Sequence, residues 1–158
     1  MLEALLDSWD RNNRITINLL RAIPNEDLDL RPTATSLSIA QLFAHLHYVR
    51  MIFVVENVPE IAVEMRKEEW KAERDPARLE RMLIDSATVV RDAVTHCLST
   101  GRAMERHFDH PILMFQHLIW HDAYHHGQIK LTLKLAGRPL KDEEIGRGTW
   151  GVWMDKAK

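Results

Sequence analysis

The sequence predicts an all-α protein, a four-helix bundle. Apolar residues recur at three and four over four long segments, and no stretch alternates apolar and polar in the manner of a strand. Only 6 Gly and 6 Pro occur in 158 residues, too few for a turn-rich β design. Helices with one apolar face each must bury those faces against one another. The length suits one domain spanning residues 1–158.

The first helix is expected from Leu2 to Ile23, where Leu2, Leu5, Leu6, Trp9, Ile15 and Leu19 trace a stripe. Pro24 ends it, because a proline disfavours helical geometry in the residue before it. A polar connection runs from Asn25 to Thr35. Ser38 and Gln41 then form a capping box, with Leu37 and Leu42 at the two positions of a hydrophobic staple. The second helix thus starts at Ser38 and runs to about Asn57, its stripe carried by Leu42, His45, Leu46, Val49, Ile52 and Phe53. His47, two residues beyond His45, falls roughly on the opposite side.

Residues 57–74 are the least legible part. Ile61, Met65 and Trp70 allow a short helix or a loop, and Arg66 to Glu69 reads as a solvated mixed-charge face. Asp75-Pro76 opens the third helix with an acidic cap and a first-turn proline, and Gly101 closes it. Cys97 follows its stripe as a small core residue. Pro111 opens the fourth helix, which continues to Ala136 before the stop signal Gly137-Arg138-Pro139. The tail, 140–158, holds Trp150 and Trp153 and is read as packing on the bundle or on a second subunit.

Composition removes several classes of function. At 46% hydrophobic and 28% charged, the chain reads as globular. A formal net charge of −2, with no basic stripe, argues against nucleic acid as a partner. No apolar run approaches the ~18 residues of a membrane span. The acidic N-terminus does not read as a signal peptide, and a single cysteine cannot form an internal disulfide, so a cytoplasmic location is expected.

Nine histidines are many for this length, and spacing sorts them. His121 and His125 stand four apart in the fourth helix, stacking both imidazoles on one face. Met114, Leu118, Gln128 and Thr132 share that direction, whereas His126 points away and His117 is turned from His125. Two neutral rings in a core cost a few kcal/mol unless each finds a partner, and one metal ion satisfies both. The third ligand expected is His45, inward on the second helix. The competing account is a set of core histidines with ordinary hydrogen bonds. His47, His96, His107, His110 and His126 are expected at the surface or in connectors, and His117 at a boundary.

The segment Leu37-Ser38-Ile39-Ala40-Gln41-Leu42-Phe43-Ala44-His45-Leu46 resembles the second-helix signature of the DinB/YfiT-like superfamily, an aromatic-Ser-x-x-Glu/Gln stretch leading to a ligand histidine. His117 to Gln128 is similar to that family's closing His-x-x-x-His-x-Gly-Gln helix, and the connection Ile23 to Leu28 fits as well. Leu37 departs from the tryptophan that many relatives carry there. The resemblance implies a bundle, often a homodimer, in which His45, His121 and His125 hold a divalent metal. Three imidazoles suit Zn or Ni first and leave Fe, Mn and Cu open. They also leave a coordination position for chemistry. Gln41, Gln128 and Asp122 are the residues expected to orient the ligands from behind. The activity implied is metal-dependent, of a thiol-dependent transferase or isomerase kind using a small-molecule thiol, or a hydrolase. The alternative is a non-catalytic dimeric bundle stabilised by its metal.

Overall fold

A computed structural model describes residues 1–61, 72–104 and 106–156. Among these the chain is all-helical, with no strand. Four long helices, α1 (Leu2–Arg21), α2 (Ile39–Asn57), α3 (Pro76–Thr100) and α4 (Pro111–Leu135), precede a single turn, α5 (Asp142–Ile145). Short 3-10 turns occupy Asn25–Asp27, Gly146–Gly148 and Trp150–Met154. α1 and α2 each pack against both α3 and α4. No helix among the described residues is long and apolar enough to cross a membrane.

The helix ends follow from local chemistry. Ser38 Oγ accepts from Gln41 N at 3.3 Å while Gln41 Oε1 accepts from Ser38 N at 2.9 Å, a complete capping box. The preceding loop supplies two further acceptors to the first turn of α2. Ile39 N donates to Leu30 O at 3.0 Å and Ala40 N to Leu28 O at 2.8 Å, so amides that a helix start leaves open are satisfied. Asp75 caps α3 by accepting from Ala77 N at 3.0 Å, and Gly101 ends it at φ 71°. Gly137, at φ 76°, closes α4. There Gly137 N bonds Lys134 O and Arg138 N bonds Leu133 O, the paired contacts of a Schellman ending.

Two apolar clusters make up the core. One gathers Leu19, Leu20, Phe43, Leu46, Leu83 and Leu133; the other gathers Trp9, Val54, Val90, Phe115 and Leu118. Trp9 is fully buried, stacks on Phe115 at 5.2 Å, and donates from Nε1 to Ala87 O at 2.9 Å. Between the clusters, along α1, α2 and α4, lies a layer of buried polar groups that includes Asn12, Thr16, His47, Arg50 and Asp122.

Two sequence expectations need correction. In α2, Val49, Ile52 and Phe53 are only half-buried, while His47 and Arg50 are buried. The helix is apolar nearly all round, so periodicity alone did not fix its inner face. His47 accordingly belongs to the interior, its Nδ1 2.6 Å from Met82 O, and burial pushes its pKa down. The tail packs on α1: Val152 is buried, Val152 O accepts from Arg11 Nη1 at 2.5 Å, and Asn18 Nδ2 donates to Gly148 O at 2.7 Å. The expectations for Met65, Trp70 and the run Arg66 to Glu69 fall outside the described residues.

Candidate metal centre

α2 and α4 bring three imidazoles together. His45 projects from the first half of α2, one turn past Gln41. His121 and His125 project from one face of α4, their ring centroids 4.5 Å apart. The His45 ring lies 5.4 Å from that of His121 and 5.0 Å from that of His125. One nitrogen from each falls within 4.8 Å of the others. Among the described residues, no Asp, Glu or Cys joins this group. His125 is buried and the other two are half-buried.

The residues behind the rings differ in what they do. Gln128, one turn after His125, places Oε1 2.7 Å from His125 Nδ1. An amide oxygen only accepts, so His125 Nδ1 carries the proton and Nε2 presents a lone pair. That Nε2 lies 3.1 Å from His121 Nε2. Burial lowers the His125 pKa, and the neighbouring His121 and His45 act in the same direction against the Gln128 contact. Gln41 spends its side-chain oxygen on the capping box.

Asp122 is fully buried. Its Oδ2 accepts from Arg50 Nη2 and from Asn12 Nδ2, both at 2.7 Å. Arg50 is fully buried too, and its Nη1 reaches Asn13 Oδ1 at 2.9 Å and Leu83 O at 3.0 Å. Burial alone would raise the Asp122 carboxyl; the Arg50 guanidinium and the imidazoles around it outweigh this and hold it at about 2. Asp122 Oδ1 and His121 Nδ1 are both buried without a hydrogen-bond partner, and they stand 3.9 Å apart.

The remaining histidines sit as follows. His117 is half-buried at a boundary, against Phe53 and Phe108. His107 is exposed and pairs with Glu56, His96 pairs with Glu60, and His110 caps α4. His126 is a correction: it is partly buried between α1 and α4, Nε2 3.1 Å from Thr16 Oγ1, and burial drives its pKa to about 4. Sequence reasoning missed Arg50 and Asn12 altogether. The available signal was Arg50 itself, a lone charge between apolar residues in the middle of α2.

A cavity of about 430 Å³ adjoins His125, between the loop before α2 and the C-terminal half of α4.

An all-helical protein with clustered imidazoles drawn from two helices is the class that fold and site define. The chain belongs to the DinB family, whose family model matches residues 1–144. No curated protein and no solved structure matches it.

Proposed function

We propose that this chain is a single-domain DinB-type four-helix bundle in which His45, His121 and His125 hold one divalent metal ion, Zn or Ni before Fe, Mn or Cu. The observation that carries this reading is the convergence of three imidazole nitrogens within 4.8 Å. The protonation pattern around them supports it. With the His125 proton fixed on Nδ1, the 3.1 Å contact between the two Nε2 atoms needs a proton on His121 Nε2. That tautomer turns the bare His121 Nδ1 towards the equally bare Asp122 Oδ1, two acceptors facing each other at 3.9 Å. If a cation occupies the Nε2 side, the proton belongs on His121 Nδ1, beside a carboxylate able to take it. The two groups, 3.9 Å apart, then attract instead of repelling, the sense of other carboxylate–histidine–metal arrangements.

A bound divalent cation supplies Lewis acidity and stabilises a deprotonated water or thiol that shares it. The chain's own residues prepare that chemistry. Gln128 fixes the His125 tautomer, Asp122 backs His121, and Arg50 with Asn12 keeps Asp122 ionised and in place. Three protein ligands leave a position for substrate, the pattern of catalytic rather than closed structural sites, and the cavity beside His125 gives room for one. The function is accordingly read as a metal-dependent enzyme of thiol-dependent transferase, isomerase or hydrolase type, located in the cytoplasm.

The test is elemental analysis of protein purified without a metal-affinity tag, alongside His125→Ala. One bound equivalent, lost on substitution, is expected. Absence of metal from both samples after incubation with Zn or Ni would leave ordinary core histidines.

One observation favours the homodimeric, interaction-protein reading. Leu113, Trp120, Tyr124, Leu131 and Leu135 are exposed at spacings of seven and four along α4, an 11-residue repeat that keeps them on one face where another helix could seat. Sedimentation equilibrium of the metal-free and metal-loaded protein separates a dimer that needs its metal from one that does not.

A further inference from the structure

The cavity beside His125 has a make-up that the metal does not explain. Its volume, about 430 Å³, lies within the ~300–1,000 Å³ usual for small-molecule sites. Leu37, Leu42, Leu131 and Tyr124 give it apolar walls, and His125 and Gln128 give it a polar corner. Among the described residues, no Asp, Glu, Lys or Arg lines it. The Thr132 hydroxyl, also on the wall, donates to Gln128 O at 2.8 Å. Gln128 Oε1 is taken by His125, while its Nε2 amino group has no partner among the described residues and is not sealed from solvent. The cavity therefore sets the Gln128 amide, with the hydroxyl-bearing Ser36 and Tyr124, at the edge of an apolar chamber.

We infer that this chamber binds a small uncharged molecule with an aliphatic or aromatic body and one carbonyl-type acceptor. The acceptor meets the Gln128 amide, and the body lies among Leu37, Leu42 and Leu131. A charged group placed there loses water and finds no counter-charge among the described residues, a cost of several kcal/mol. A few well-placed polar groups in an apolar site fix orientation without that cost. The inference deepens the three-histidine reading, on which it rests for the chemistry that the bound molecule meets, by naming the class of molecule brought to the site.

The experiment titrates 4-phenylbutan-2-one into Zn-treated protein carrying methyl-labelled leucine, followed by NMR. 4-Phenylbutylamine serves as a cationic probe of similar size. Saturable shifts of the Leu37, Leu42 and Leu131 methyls are expected with the ketone, and at least tenfold weaker binding of the amine. Leu37→Trp and Leu131→Trp, which fill the chamber from two sides, should each weaken the ketone at least tenfold with Zn uptake unchanged. Leu131 is 54% exposed, so its variant remains informative if Leu37→Trp folds poorly. Unsaturable shifts, equal binding of ketone and amine, or unchanged binding in the folded variants overturns the inference. Zn taken up through His125 with no ketone bound sinks the chamber alone; ketone bound with no Zn taken up sinks the metal and leaves the chamber standing.

Discussion

Arg50 and Asp122 meet at 2.7 Å with both side chains fully excluded from water, joining α2 to α4 in the polar layer between the two halves of the core. Asn12 adds α1 to the same carboxylate oxygen. Three helices thus converge on one charge pair directly behind His121. The pair's worth is conditional, because two buried ions cost as much as their attraction returns unless every polar atom is satisfied.

Removing one partner is the severe case. Asp122→Ala should destabilise the fold by about 3–5 kcal/mol, since it strands a buried guanidinium. Arg50→Met combined with Asp122→Leu should recover most of that loss. Urea unfolding of the two variants checks both statements, and a double variant less stable than Asp122→Ala would contradict them.

In the proposed site, Gln128 would act on the metal through His125. Gln128→Ala should lower Zn affinity by about 10–100-fold, the usual effect of losing a hydrogen bond behind a ligand histidine. Circular dichroism should be unchanged, because Gln128 is only half-buried. Competition against a chromophoric chelator reads the affinity, and wild-type affinity in the variant would remove Gln128 from the site.

Ser38 carries the start of α2 and, with it, the placement of His45. Ser38→Ala should cost about 1 kcal/mol, near 2–4 °C in Tm for a chain of this size. Ser38→Thr should retain much of the cap. Differential scanning calorimetry distinguishes them, and equal melting of Ala and Thr variants would deny the cap its role.

Cys97 is 1% exposed, and burial pushes its thiol pKa up despite Arg102 nearby. The reactive thiolate is therefore scarce and shielded at neutral pH. Native protein should react with Ellman's reagent far more slowly than protein in urea. Prompt stoichiometric labelling of the folded state would show that the α3 face opens.

The boundaries of the four long helices were legible because capping chemistry is local. Ser38 with Gln41, Asp75 with Pro76, Pro111 and Gly137 each act within a few residues of themselves. The histidine pair on α4 was legible for the same reason, as an i,i+4 relation inside one helix. What periodicity could not reach was the facing of α2, where apolar residues surround the axis, and so Arg50 and His47 went unplaced. Asp122 needed partners more than 70 residues away in sequence, a distance at which no local pattern speaks. His126 was misplaced because its cover comes from α1, across the interface where Thr16 meets it.

Gly127 stands in the open on α4, between the two halves of the exposed apolar row, and a Cβ there would meet no heavy atom of the described residues within 4 Å. A glycine inside a helix forgoes about 1 kcal/mol against alanine, and none of the described residues imposes a steric need for it. Gly127→Ala should accordingly toughen the isolated protomer. Were the same substitution to loosen a self-assembled form, the bare notch would mark the spot where a neighbour's backbone comes closest.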